Sequence, residues 1–276
     1  MTALSTPAAP PAVPSALPAP VLGRLRGARY MVERNLLIYR HTWYLLLAEI
    51  FEPVLYLLSI GVGIGELVGR SAGLSDGVSY SAFVAPALLA TTAMNGAMNE
   101  TTFNMFAKLK LLRTYDAIQA TPMTAEHIAL GEAVWAVLRG TLITTGFLVV
   151  VSVLGLAHSP AVLLVLPGAA LIGFAFASLG LVVVSYLRSW QDFQFVQLAM
   201  LPMFLFATTF YPLGVYPRPL QLAVECLPLF QSIELLRQPA LGHVGTGLLL
   251  PAGYLLAMGG LSLRWAMARI ERQLTR

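Results

Sequence analysis

The chain has 276 residues, 57% hydrophobic and 11% charged, with a formal net charge of +4 and a mean hydropathy of +0.74. Soluble domains carry about 25% charged residues, so these values exclude a soluble globular protein. A single cysteine, Cys226, excludes an internal disulfide, and His41, His127, His158 and His243 are not spaced to hold zinc, so no metal site is expected.

Residues 1–20 are rich in proline and alanine and carry no charge. They read as a disordered tail; the basic leader and apolar run of a signal peptide are both missing. Residues 21–276 read as one transmembrane domain. In its first part, to about residue 42, Leu25, Ala28, Val32, Leu36, Tyr39 and Trp43 recur at spacings of three and four. Arg24, Arg29, Glu33, Arg34 and Arg40 take other positions. The pattern predicts an amphipathic interfacial helix on the membrane surface, with packing against a partner as the alternative.

Long uncharged runs at 80–99, 140–157, 161–187, 193–217 and 244–263 then predict an all-α membrane protein, with six transmembrane helices at about 43–68, 78–98, 128–156, 161–187, 193–210 and 244–263. Each approaches or exceeds the roughly 18 residues of a spanning candidate. The first carries Glu49 and Glu52, three apart and so on one helical face. Two readings stand for them: a polar translocation path or salt bridge within the membrane, or solvation near the headgroups. Gly61, Gly65, Gly69, Gly73 and Gly77 recur every fourth residue, a weak helix-approach signal. The third span carries Glu132 and Arg139, seven apart and two turns from each other on one face.

Between the second and third spans lies the longest stretch of soluble character, 99–127, with Lys108, Lys110, Arg113, Tyr115, Asp116, a Thr121-Pro122 break and Glu126. Its two readings are a docking element for a cytosolic partner and a solvated basic loop. After the fifth span, residues 204–242 are apolar but interrupted by Pro212, Pro217, Pro219, Pro228 and Pro239. The pieces between are too short to cross a bilayer, which predicts short re-entrant outer helices between spans five and six. With six spans, thirteen basic residues fall on the side of the termini and three on the other. The positive-inside bias then puts both termini in the cytoplasm. The basic groups serve topology, so no nucleic acid is expected.

No hydrolase, zincin or nucleotide-binding P-loop pattern occurs, and Lys108 and Lys110 are the only lysines. The chain is therefore not expected to be an enzyme, and the energy for transport must come from a partner or an ion gradient. Several motifs resemble those of type-2 ABC exporter permeases, the branch of the nodulation-factor and daunorubicin-resistance permeases. These are Tyr211-Pro212-Leu213, Pro217, Pro228-Leu229, Arg237 and Gly242, together with the run 112–118, Ala120-Thr121-Pro122-Met123 and Leu130-Gly131-Glu132. The resemblance covers about 22–269. It implies a permease subunit in a bacterial cell membrane, paired with a second copy or a homologue. It further implies a separate ATP-binding-cassette ATPase that carries the ATP and Mg and docks on the loop with Lys108, Lys110, Arg113, Tyr115, Asp116 and Glu126. Substrates of such exporters are lipo-oligosaccharides, polysaccharides or amphipathic drugs. Glu49, Glu52, Glu132 and Arg139 are the candidate polar groups of the path. A proton-coupled secondary transporter using Glu49 or Glu52 is the alternative.

Overall fold

A computed structural model describes residues 21–63, 79–112, 114–156 and 160–274. The proline-rich tail, residues 64–78 with Gly65, Gly69, Gly73 and Gly77 of the glycine series, Arg113 and His158 lie outside them. Among the described residues every regular element is helical. Helix α1 (Val21–Tyr39) is followed by α2 (Tyr44–Tyr56), which runs on as a π-helical turn through Leu57–Val62. Helix α3 (Tyr80–Asn99) continues through π-helical turns at Glu100–Asn104 and Ala107–Leu111. A short α4 (Thr114–Gln119) leads to α5 (Ala125–Val153). Next come α6 (Val165–Val184), α7 (Phe193–Phe206), α8 (Arg218–Glu225), α9 (Pro228–Ala240) and α10 (Leu249–Leu274).

Helix α3 is the axis of the fold. It is buried on nearly all sides and touches α5, α6 and α9. Its composition makes that possible, because Ala82, Ala85, Ala87, Ala90, Ala93, Gly96 and Ala97 let neighbours come close. At the crossing with α5, a Cβ on Gly96 would lie 3.3 Å from the Gly140 Cα, and one on Gly140 would lie 3.3 Å from the Ala93 carbonyl oxygen. The two backbones therefore meet with no side chain between them. Helix α10 lies along α6, and α2 lies against α5.

Four helical segments are long and apolar enough to cross a membrane: Tyr44–Gly61, Ala125–Val153, Ala161–Val184 and Thr246–Arg272. The second and fifth predicted spans are not among them. Helix α3 has 20 residues, but its threonine, asparagine, serine and tyrosine content makes it less apolar than those four. Helix α7 has only 14 residues, about 21 Å of helix against a hydrocarbon core near 30 Å. It ends because Thr208 takes φ 61°, a left-handed conformation that stops a helix.

Three further expectations change. The stretch 99–127 is not a loop throughout, since the helix of α3 continues to Leu111. Interior contacts for its polar side chains keep it wound. The buried face of α1 is Gly27, Ala28, Met31 and Asn35, whereas Leu36 is exposed together with Tyr30, Leu37 and Ile38. Helix α1 packs on α5, where a Cβ on Gly131 would lie 2.4 Å from Met31 Cβ. The small residues Gly27, Ala28 and Gly131, rather than the large apolar ones, chose the face. Finally, the proline-punctuated region holds the expected two short helices, each with proline at its start, but α9 is not peripheral. Leu229, Ile233 and Leu236 are fully buried against the core around α3 and α6.

Candidate functional site

Two features stand out, and they adjoin. The first is a cavity of about 310 Å³ between α2, α3 and α7, with Ile143 of α5 behind it. Helix α2 contributes Glu49, Glu52, Pro53 and Tyr56, spaced three and four apart. Helix α3 contributes Thr91, Asn95 and Asn99, a ladder at spacing four. Helix α7 contributes Gln197, Met200, Leu201 and Phe204. The hydroxyls of Thr91 and Thr92 bond back to the carbonyls of Ala87 and Leu88 at 2.8 Å. Among the described residues Glu52, Asn95, Asn99 and Gln197 have no hydrogen-bond partner, and no lysine, arginine or histidine lines the space. The wall is thus part apolar and part open carboxylate and amide. It can accept hydrogen bonds or a positive charge from a ligand and offers no cation to an anionic one.

The second feature is a chain of buried charges behind the α3 wall. Arg139 donates to Glu49, its Nε lies 3.6 Å from Glu100, and it also reaches the Gly96 carbonyl at 3.4 Å. Glu100 accepts from Lys108 Nζ at 3.1 Å, from Asn104 at 2.6 Å and from the Tyr39 hydroxyl at 2.9 Å. Lys108 also donates to Glu132 at 2.8 Å. Glu132, with no exposed surface, further accepts from the Tyr115 hydroxyl at 2.9 Å and from Asn35 at 3.2 Å. Buried charges persist only when paired and bonded in this way. The π-helical turns of α3 make the alignment possible. Their wider winding keeps Glu100, Asn104 and Lys108, each four apart, facing one side. Burial and the neighbouring Glu132 carboxylate hold the Tyr115 hydroxyl protonated well above its ordinary range.

The predicted site residues therefore divide. Glu49 is paired within the protein and Glu52 is open, both on the cavity wall. Glu132 and Arg139 sit in the charge chain rather than on the lining. Of the expected docking residues, Lys108 and Tyr115 are turned inward, because Glu100 and Glu132 need their donors. Lys110 is exposed, and so are Leu111 and Leu112 beside it. Glu126 lies in the first turn of α5 and is half-buried. Arg113 and the side chain of Asp116 lie outside the described residues. Glu100, Asn104, Tyr39 and Asn35 went unrecognised in the sequence, although the spacing of Glu100, Asn104 and Lys108 was a usable signal.

In the motif expected on the outer face, Arg237 is buried and donates to the Thr208 carbonyl at 2.7 Å and its hydroxyl at 3.3 Å. It also donates to Glu234 at 3.1 Å and stacks over Phe83 at 4.0 Å. It fastens the left-handed break after α7 to α9. Tyr211 is exposed beside Pro212, Pro217 precedes α8, and Pro228 opens α9. At the other end of α7, the Asp192 carboxylate accepts from the backbone N–H groups of Arg188 and Ser189, which lowers its pKa.

Residues 27–241 match the ABC-2 type transporter family. The chain belongs to that family. It is a membrane permease subunit of an ABC transporter of type 2. Nodulation protein J of Rhizobium leguminosarum bv. viciae is 39% identical over 199 residues, covering 72% of this chain and 75% of that protein. Nodulation protein J of Rhizobium meliloti is 38% identical over 205 residues, covering 72% and 77%. That of Sinorhizobium fredii is 35% identical over 230 residues, covering 83% and 86%. The matched part of this ABC-2 permease takes in the cavity, the charge chain and the Arg237–Thr208 contact alike.

Proposed function

We propose that this permease is the membrane-spanning half of an ATP-driven exporter, and that the cavity between α2, α3 and α7 is its contribution to the substrate path. The supporting observation is the lining: open carboxylate and amide groups set among apolar side chains, on the face where α7 has no fully buried side chain. Such a wall suits an amphipathic cargo whose polar part is uncharged or cationic, as in an acylated, phosphate-free lipo-oligosaccharide or a cationic drug. A second copy or a homologue closes the path, six crossings carry it, and both termini face the cytoplasm.

The power comes from a separate ATP-binding-cassette subunit. It docks on the segment between α3 and α5, through Lys110, Arg113, Asp116, Glu126 and the exposed Leu111 and Leu112. Lys108 and Tyr115 hold that segment from inside. Co-purification of the chain from its native membrane should bring down an ATPase, and Arg113→Glu should reduce its recovery and its ATP turnover together. Undiminished recovery and export in that variant would remove the docking assignment. Export that survives ATP depletion but stops with an uncoupler would transfer the reading to proton-coupled transport.

A further inference from the structure

The last turns of α10 carry a basic and aromatic stripe that export through the cavity does not use. Ala266 and Ile270 point inward, 0% and 3% exposed, into the cluster that holds Phe106 and Tyr115. At about 100° per residue, Trp265, Arg269 and Arg272 share the neighbouring face, within about 60° of one another. Arg264 and Glu271, seven apart, share a third face. The Arg269 guanidinium lies 3.7 Å above the ring of Tyr186, just beyond the end of α6. Trp265 meets the same ring edge-on, with centroids 6.2 Å apart. We propose that Arg269 and Arg272, seated on the Trp265–Tyr186 pair, bind the phosphate of an anionic phospholipid. Only the placing of this site in the cytoplasmic leaflet rests on the orientation proposed above; the site itself does not.

Among the described residues Arg269 has neither an ion pair nor a hydrogen bond, and its Nε is buried without a partner. A half-buried cation with no counter-charge in the protein calls for one from outside it. Stacking on Tyr186 fixes the plane of the guanidinium and leaves its edge free, and that edge is a fork of donors matched to phosphate oxygens. Trp265 and Tyr186 are 58% and 47% exposed, and aromatic rings of this kind settle at the level of the headgroups. Arg272, one turn beyond Arg269, is exposed and adds a second positive charge. No acid stands on the stripe. Glu271 lies on the third face, and Asp192, beyond Tyr186, is occupied by the backbone N–H groups of Arg188 and Ser189 and by the Ser189 hydroxyl. The stripe therefore has no acceptor for the ammonium of a zwitterionic headgroup, whereas a headgroup of net negative charge satisfies both arginines. Topology alone asks for charge at the end of a span. It does not ask that a guanidinium be stacked on a ring with its Nε kept from water.

The test is native mass spectrometry of the full chain in detergent, titrated with phosphatidylglycerol or with phosphatidylcholine. The unaltered chain should retain phosphatidylglycerol in preference. Arg269→Gln should weaken that binding about tenfold, the worth of a charge-assisted hydrogen bond, and leave phosphatidylcholine unaffected. Tyr186→Leu, which removes the ring but no charge, should weaken it in the same direction. Arg264→Gln removes an equal charge from the other face and should change nothing. Arg272→Gln, at an exposed position, carries the test if Arg269→Gln does not fold. Undiminished binding in the variants of the stripe, or an equal loss in Arg264→Gln, overturns the site. Displacement of the lipid by millimolar inorganic phosphate overturns it too, because the site would then serve a free anion. The binding is read on the chain alone. A failed ATPase co-purification therefore leaves the lipid site standing, and a failed lipid titration leaves the proposed function standing.

Discussion

Glu132 shows how much rests on one side chain. It is fully buried and receives donors from α1, α3 and α4 at once. Glu132→Leu would strand Lys108 with half its partners and leave the Tyr115 and Asn35 donors unpaired. Breaking a buried pair from one side costs about 3–5 kcal/mol, and the variant should lose thermal stability in detergent to that extent. Adding Lys108→Met should recover part of the loss. Glu100 would still hold Tyr39, Asn104 and Arg139, and no cation would be left without its counter-charge. A double variant worse than the single would show that Lys108 matters to stability chiefly through Glu100. Arg237 plays a comparable part at the other end of the molecule. Its fork spans the Thr208 carbonyl and hydroxyl and Glu234 together, a geometry a lysine cannot reproduce.

Among the elements, α3 and α7 are opposites. Helix α3 is packed on every side but the one facing the cavity, largely through small residues, and its crossing with α5 leaves no room for a side chain. Gly96→Leu should therefore force the two helices apart, at about 1–3 kcal/mol from overpacking, and be read as a lowered melting temperature. Gly63→Ala, where an added Cβ would meet nothing within 4 Å, is the matching control and should change little. Helix α7 is held mainly at its ends. Trp190 and Phe193 stack with Phe103 and Phe106 of the α3 extension at centroid separations of 4.6–5.9 Å. Arg237 holds the far end, and the middle faces the cavity. A wall fastened at its two ends, with Val196, Met200 and Met203 only partly buried between them, suits a surface that a second copy or a cargo is to cover.

For the whole molecule, orientation is the quantity to measure. The exposed Val215, between α7 and α8, belongs to the predicted outer face, and the exposed Leu112 to the cytoplasmic one. In a Cys226→Ser background, a thiol from Val215→Cys should react with a membrane-impermeant maleimide on intact cells. One from Leu112→Cys should react only after permeabilisation. The reverse pattern would invert the permease and place the docking segment outside.

The membrane class and the run of apolar helices were legible in the sequence, since long uncharged segments must meet lipid and prolines must break helices wherever they fall. The turn of α1 toward Gly131 was not legible in that way. Apolar periodicity cannot say which face finds a small enough partner, and the residues that decided it lie a hundred positions apart. The same limit hid the charge chain. Lys108 and Tyr115 read as surface groups because they fall in the stretch of soluble character, while Glu132, which draws both inward, is brought within reach only by the packing of α5 against the α3 helix. Local composition determined what each segment could dissolve in. Which charges would share one dry space was decided by packing, because an ion pair depends on distance in space and not on separation along the chain.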